Sequence, residues 1–384
     1  MLHLNSMIYY FDNCATTKVD EKVLEVINQY HTEKYFNPSS LHGWSLAVKK
    51  DVDASRNTIK KCLGFSGNVL FTSGGTESDN LAIFGSMRHG GNVVATMVEH
   101  SAVYNCLQSL QQKGVTVKFA KTFDDGSVDV EHFLSLVDEN TCLAVCMHVN
   151  NETGAINDIK GLFEGVKRIN SRVLCFSDGV QAVGKIPVNI DFLGADLYSF
   201  SSHKIHGTKG VGGLCVKNGV RLVPQNFGGG QENGLRNGTE YVGGIVALAT
   251  AVDLACKNLQ TNVENFEKYK EIFKNAVRDL PDCKIICQNN CSSAILTFAF
   301  ANIKSEVLLH MLERENIIVG LGSACSSKYK VSRVHAQLNL PKNYQEGLVR
   351  ISFSKYTTME EVEFVADKLA NTVKALRNII GVRK

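Results

Sequence analysis

VLCFSDGVQ at residues 173–181 and LYSFSSHKIHG at residues 197–207 decide the reading of this chain. Each begins as a short apolar run of the kind that forms a strand buried on both faces. Each ends in polar groups: Asp178 and Gln181 after the first, Ser201, His203 and Lys204 after the second. Similar runs cover residues 69–72, 93–98, 115–120 and 143–149, separated by longer stretches with apolar residues at helical spacing. Val19, Val23, Val26, Ile27 and Tyr30 mark one such helix, and Leu46, Val52, Ile59 and Leu63 another. The alternation predicts an α/β fold with a large, mostly parallel sheet covered on both faces. Such sheets gather ligand-binding groups at the carboxyl ends of their strands. From about residue 255 the pattern changes to a long polar helix, a strand over 294–300 and a helix carrying Val307, Leu308, Met311 and Leu312. A last stripe of Val362, Val365, Leu369, Val373, Leu376 and Ile379 must pack on something. A smaller domain is expected to begin there, packed on the first, because only five prolines are present and no Pro-rich linker separates them.

Composition narrows the function. Of 384 residues, 44% are apolar and 21% charged, which excludes a disordered or fibrous chain. The 41 Lys and Arg against 38 Asp and Glu leave a net charge of +3, too thin to grip nucleic acid or an anionic membrane. The longest apolar stretch, residues 243–256, is interrupted by Asp253 and falls short of the roughly 20 residues of a spanning helix. MLHLNSMIYYFDN at the start lacks the basic and apolar regions of a secretory leader, so the cytoplasm is the expected location; Met1 and Met7 both stay open as the natural start. Of the twelve cysteines, Cys142, Cys146, Cys175 and Cys215 lie in apolar runs and read as reduced core residues. Cys283, Cys287 and Cys291 are spaced four apart but match no recognised ligand spacing, so no metal is expected.

The motifs at the strand ends carry chemistry. TSGGTESDNL at residues 72–81 follows a strand and opens a helix, where unpaired N–H groups, a positive dipole end and bare glycines at Gly74 and Gly75 suit a phosphate. A plain helix start capped by Ser73 or Thr76 is the competing reading. Neither this loop nor GGGQENG at 228–234 is a dinucleotide fingerprint. Asp178 and Lys204, delivered to one crevice, fit pyridoxal phosphate: the lysine forms a Schiff base, and the carboxylate keeps the pyridine nitrogen protonated. Ser201 and His203 can donate to the phosphate. His100, closing the run at 93–98, can stack on the ring and shuttle protons. Cys325 lies in the small-residue loop GLGSACSS at 320–327, where a reactive thiolate is more at home than a structural cysteine. Arg350, in the apolar run LVRISF, wants either a substrate carboxylate or a structural acid.

Together these residues resemble the cysteine desulfurases of the class V aminotransferase group, over a span from Tyr10 to beyond Arg350. The carrying motifs are DNCATT at 12–17, SGGTESDN at 73–80, EH at 99–100, MHVNNETG at 147–154, SDGVQ at 177–181, SFSSHKIHG at 199–207, GGGQENGLRNGT at 228–239 and GSACSS at 322–327. The resemblance implies the pyridoxal-phosphate-dependent transferase fold of aspartate aminotransferase type. A large domain would span 14–255, and a smaller α+β domain, formed by 1–13 and 256–384, would carry the cysteine loop. It implies Lys204 as the Schiff-base lysine, Asp178 at the pyridine nitrogen, His100 over the ring and Gln181 at the ring hydroxyl. Gly75, Thr76, Ser201 and His203 would hold the phosphate, with Thr239 supplied by the other subunit of a homodimer. Asn151 and Arg350 would grip the substrate carboxylate, and Cys325 would take sulfur from L-cysteine as a persulfide, releasing L-alanine. The sulfur would pass to an acceptor protein in iron–sulfur cluster assembly or in tRNA or cofactor thiolation. An aminotransferase, a selenocysteine lyase and a non-catalytic scaffold are the alternatives; Cys325 argues against the first, and Lys204, Asp178 and His100 against the last. The chain departs from the usual pattern at Gly179, Ser202, Asn233 and Asn237, and in the basic stretch at 328–333 that follows the cysteine loop.

Overall fold

The computed structural model describes residues 7–87, 91–321 and 332–381. Its strands are β1 (Tyr9–Phe11), β2 (Asn68–Thr72), β3 (Asn92–Thr96), β4 (Val117–Ala120), β5 (Thr141–Val145), β6 (Leu174–Asp178), β7 (Leu197–Ser201), β8 (Gly212–Val216), β9 (Cys283–Ile285), β10 (Ile295–Phe300), β11 (Ile317–Val319) and β12 (Leu348–Ser352). Seven of them form one sheet in the order β2-β8-β7-β6-β5-β3-β4. Every pairing is parallel except those of β8, which runs antiparallel to both neighbours. The predicted runs all appear, with their ends shifted by a few residues, but β8 has no counterpart in the sequence reading. Only residues 202–211 separate it from β7, too few for the crossover helix that a parallel return needs, so the chain doubles straight back.

Helices cover both faces of this sheet. The apolar stretch near residue 250 forms the helix Val242–Lys257, which lies buried against the helices Glu21–Thr32 and Gly43–Cys62. Among the described residues no single helix is long and apolar enough to cross a membrane. Cys146, Cys175 and Cys215 are buried as expected, whereas Cys142 is only partly so.

The remaining strands form a three-stranded antiparallel sheet, β12-β10-β9, and the parallel pair β1-β11. The helix Leu259–Val277 brings Phe266, Phe273 and Val277 onto them, and the helix Met359–Ile380 brings Val362, Val365, Leu369, Val373 and Leu376. Each such buried side chain contributes about 1.5–3 kcal/mol of apolar burial. Ile379, the last member of the predicted stripe, is 76% exposed and leaves the core. The final helix starts at a capping box between Thr358 and Glu361 and stops at Gly381 in the left-handed region. Bridges from Asp12 to Ser352 and from Gly320 to Arg350 tie the two small sheets together.

Candidate active site

β3, β5, β6 and β7 all point their carboxyl ends at one cavity of about 250 Å³. Its lining includes Gly75, Thr76, His100, Asn151, Asp178, Gln181, Ser201, His203 and Lys204, nine residues singled out from sequence, along with Cys14, Asp79, Met147 and Val180. The parallel register explains part of this, since Asp178 pairs with Ser199 and places the two strand ends side by side.

One wall is the start of the helix Gly75–Ser86. Gly74 sits at its N-cap with φ +155° and ψ −179°, a conformation essentially restricted to glycine, and no side chain caps the helix. The capping expected from Ser73 or Thr76 is therefore absent; the Ser73 N–H instead donates to Glu77, whose carboxylate is held by Arg236 at 3.0 Å. A Cβ on Gly75 would lie 2.8 Å from Val180 Cγ2, so only bare backbone fits between the helix start and its neighbours. Ser201 Oγ is buried beside it without a hydrogen-bond partner. An unpartnered hydroxyl next to open helix N–H groups is the signature of an anion site.

The acid end of the cavity holds Asp79, His100 and Asp178, with one ligand atom of each within 4.8 Å of the others. Burial raises the Asp178 carboxyl above its usual range, while His100, a bond from the Val180 N–H at 2.9 Å and Lys204 pull it back. Asp79 is pushed up well above, by burial first and then by Asp178, and accepts from Ser199 Oγ at 2.6 Å. A protonated Asp79 leaves Asp178 as the anion of this end, poised for a cation. His100 is lowered by burial and accepts the Ala102 N–H on Nδ1 at 3.1 Å, which aims the ring at the cavity as the N-cap of the next helix. Behind Asp178 lies Gly179. A Cβ there would sit 2.0 Å from Tyr198 Cε1, so the glycine makes room for the tyrosine, whose hydroxyl meets His148 Nδ1 at 2.8 Å.

The amine end holds Lys204. Its Nζ donates to the carbonyls of Cys14 at 2.6 Å and Ala15 at 2.8 Å, so the N-terminal segment closes this side. Burial, reinforced by nearby Lys185, brings its ammonium down to about 8. Gln181 Nε2 donates to the same Cys14 carbonyl at 3.0 Å. His203 is pushed to about 4 by burial and the neighbouring lysines, which leaves a neutral imidazole whose Nδ1 meets Thr16 Oγ1 at 3.1 Å.

Arg350 does not line the cavity. It is buried behind Asn151, donating to the Asn151 carbonyl at 2.7 Å and pairing with Asp12 at 2.7 Å, so the structural acid weighed from sequence exists and is Asp12. Thr239 is exposed and away from the lining. Cys325 and the stretch at 328–331 lie outside the described residues. Asn237 pins the glycine-rich loop by accepting the Gly230 N–H at 2.6 Å and donating to the Asn226 carbonyl at 2.8 Å. Asn233 takes φ +57°, which asparagine tolerates.

Pyridoxal phosphate fits these residues. The orphaned Ser201 hydroxyl and the bare Gly75 backbone suit its phosphate, buried Asp178 suits the protonated ring nitrogen, and an amine of low proton affinity faces them from Lys204. The sequence reading assigned no role to Asp79 or to the Cys14 carbonyl. Asp79 carried a signal, lying one helical turn after Thr76 on the face turned inward; a main-chain carbonyl leaves none.

Residues 9–365 match the family described as aminotransferase class-V. A cysteine desulfurase IscS from Dictyoglomus turgidum is 34% identical, covering 96% of this chain and 95% of its own. A cysteine desulfurase from Nostoc sp. is 36% identical, over 96% and 94%. A solved NifS-like protein, 34% identical, superposes with a TM-score of 0.90 over 96% of this chain and all of that one.

Proposed function

The chain belongs to the class-V aminotransferases, and among them to the cysteine desulfurases, and from that premise we propose how its own residues divide the work. As a cysteine desulfurase it converts L-cysteine to L-alanine, with the sulfur taken onto an enzyme cysteine as a persulfide for delivery to acceptor proteins. Pyridoxal phosphate, when bound, supplies the electron sink that lets the substrate's α-carbon give up its proton. Gly75, Thr76, Ser201 and His203 would hold its phosphate, Asp178 would keep its ring nitrogen protonated, Gln181 would donate to its ring oxygen, and His100 would act beside its ring. The observation that carries this assignment is the convergence of all eight of these groups, counting Lys204, on one cavity.

Lys204 Nζ anchors the cofactor and is the base for the α-proton, a task its low proton affinity suits near neutral pH. Asn151 orients the substrate carboxylate, and Arg350 positions it by holding the Asn151 carbonyl. The Cys325 thiolate attacks the substrate sulfur: the S–S bond forms, the S–Cβ bond breaks, and its electron pair stays with the carbon skeleton, which becomes alanine when His100 passes a proton to Cβ and Lys204 returns the α-proton to Cα. The persulfide is then handed to an acceptor protein serving iron–sulfur cluster assembly or thiolation. Residues 14–255 form the cofactor domain, and 1–13 with 256–384 form the domain that carries Cys325.

Thr239 reaches the phosphate of a second subunit. Its exposure supports this, as does the aromatic stack of Tyr35, Phe36 and Trp44, exposed at Tyr35 and Trp44 and close in sequence to Pro38 and Ser39, which share a groove with Glu240, the residue after Thr239. Patches of that kind mark interfaces.

The test is mass spectrometry of cofactor-loaded protein after brief L-cysteine treatment without reductant. One added sulfur on the Cys325 peptide, with alanine released, is expected for the natural chain and neither for Cys325→Ala. Alanine without sulfur on Cys325 would overturn the assignment of the thiol.

A further inference from the structure

Lys185 is a buried lysine that the reaction leaves unused. It lies on the loop after β6, one helical turn beyond Gln181, and is 7% exposed. Among the described residues it makes no ion pair; its Nζ donates to Gln181 Oε1. That bond settles which way the Gln181 amide faces. With Oε1 occupied by an ammonium, Nε2 must turn to the other side, where it donates to the Cys14 carbonyl that also receives Lys204 Nζ. Lys185, Gln181, the Cys14 carbonyl and Lys204 thus form one chain of hydrogen bonds with a cation at each end.

Two buried ammonium groups so joined are unfavourable together, and the surroundings decide which one gives up its proton. The other ionisable groups facing Lys204 are largely accounted for. Arg350 and Asp12 neutralise each other, Asp20 pairs with Lys355, and His206 is neutral. The Cys14 thiol lies beside the amine, and Asp178, His100 and His203 face it from the cavity. Burial lowers Lys185 as well, but its polar contact is to an amide oxygen, which favours the charged form, and it is the neighbouring cation without a counter-charge.

We infer that Lys185 is a positioning residue for the amine end of the cavity: it locks the Gln181 amide with its N–H toward the ring oxygen and, by its unpaired charge, keeps the proton off Lys204. The inference rests on the assignment of Lys204 as the cofactor's anchor and goes one step behind it.

The test uses pyridoxal 5′-phosphate as probe and capture, not turnover, as readout. Cofactor-free protein is mixed with the probe across pH 6 to 10, trapped with borohydride, and the label on the Lys204 peptide is quantified. For the natural chain the capture rate is expected to rise with a midpoint near 8, where Lys204 loses its proton. Lys185→Met and Lys185→Gln both remove the charge and should move the midpoint up by about half a unit to one unit. Lys185→Arg keeps the charge and should leave it in place. Should the methionine variant not fold, as checked by circular dichroism, the glutamine and arginine variants carry the same comparison. A midpoint unmoved in Lys185→Gln overturns the inference while leaving Lys204 as the anchor. Absence of label on Lys204 in the natural chain overturns the anchor itself.

Discussion

The two ends of the cavity are built on opposite plans. At the acid end three titratable side chains crowd within 4.8 Å, and burial drives their charges off unless a partner arrives. At the amine end the partners are already present, but they are main-chain carbonyls and a second lysine, which hold Lys204 in place without giving it a counter-ion. One end awaits a cation; the other holds an amine that gives up its proton easily. The lesson is that burial alone does not make a site. Asp178 is buried and Lys204 half-buried, and the arrangement of fixed dipoles and spare charges decides which group keeps its proton.

The comparison breaks most plainly if the ends do not differ in kind. Lys204→Ala is expected to lower alanine formation by about 10⁴-fold or more, since anchor and base go together, and to abolish borohydride-stable cofactor. Asp178→Asn should cost less, about 10²- to 10³-fold in rate, and should leave trapping on Lys204 intact. Equal losses in both measurements would show that the ends act as one unit.

Gly179→Ala tests the packing behind the acid end. The added methyl meets the Tyr198 ring, so a loss of about 1–3 kcal/mol is expected in denaturant unfolding, largely restored by a smaller residue at 198. Ser201→Ala separates holding from folding. It removes a buried hydroxyl with no partner, so the cofactor-free protein should be as stable or more so, while cofactor affinity falls about tenfold.

Away from the two ends, the expected effect is a pH slope. Burial depresses His148 to about 4, below its unfolded value, so the unfolded chain binds its proton first as pH falls. The contribution is fully present above about 6.5 and is lost on going down toward 4. Unfolding curves of the natural chain should therefore be steeper than those of His148→Gln across that window, by about 1.4 kcal/mol per pH unit.

Much of this was legible in sequence where chemistry and strand ends coincide. Asp178, Lys204, His100 and Asn151 each follow an apolar run, and the parallel sheet turns that placement into convergence. β8 was not legible. It has no helix before it and opens with two glycines, which read as loop. Their reason lies across the sheet, where a Cβ on Gly212 would strike the backbone of Gly74 at 2.7 Å and one on Gly213 the Phe200 ring at 2.3 Å. The Gly74 cap, the Asp12 partner of Arg350 and the link from Lys185 to Gln181 were hidden for the same reason, since each depends on what another segment brings near. Cys325 was read from its loop alone, and its place relative to the cavity lies outside the described residues.

The pairing of Asp12 with Arg350 joins residues 338 positions apart. Asp12 is made long before Arg350, so the segment that closes over Lys204 is held at first only by its bonds to the large-sheet loops, from Thr17 to the His203 carbonyl and from Gln181 and Lys204 to the Cys14 carbonyl, and gains its Arg350 anchor later. The β-strands of the large sheet can assemble during synthesis, before that second anchor exists. A product truncated before residue 350 would hold the large sheet without the clasp that Arg350 makes to Asp12.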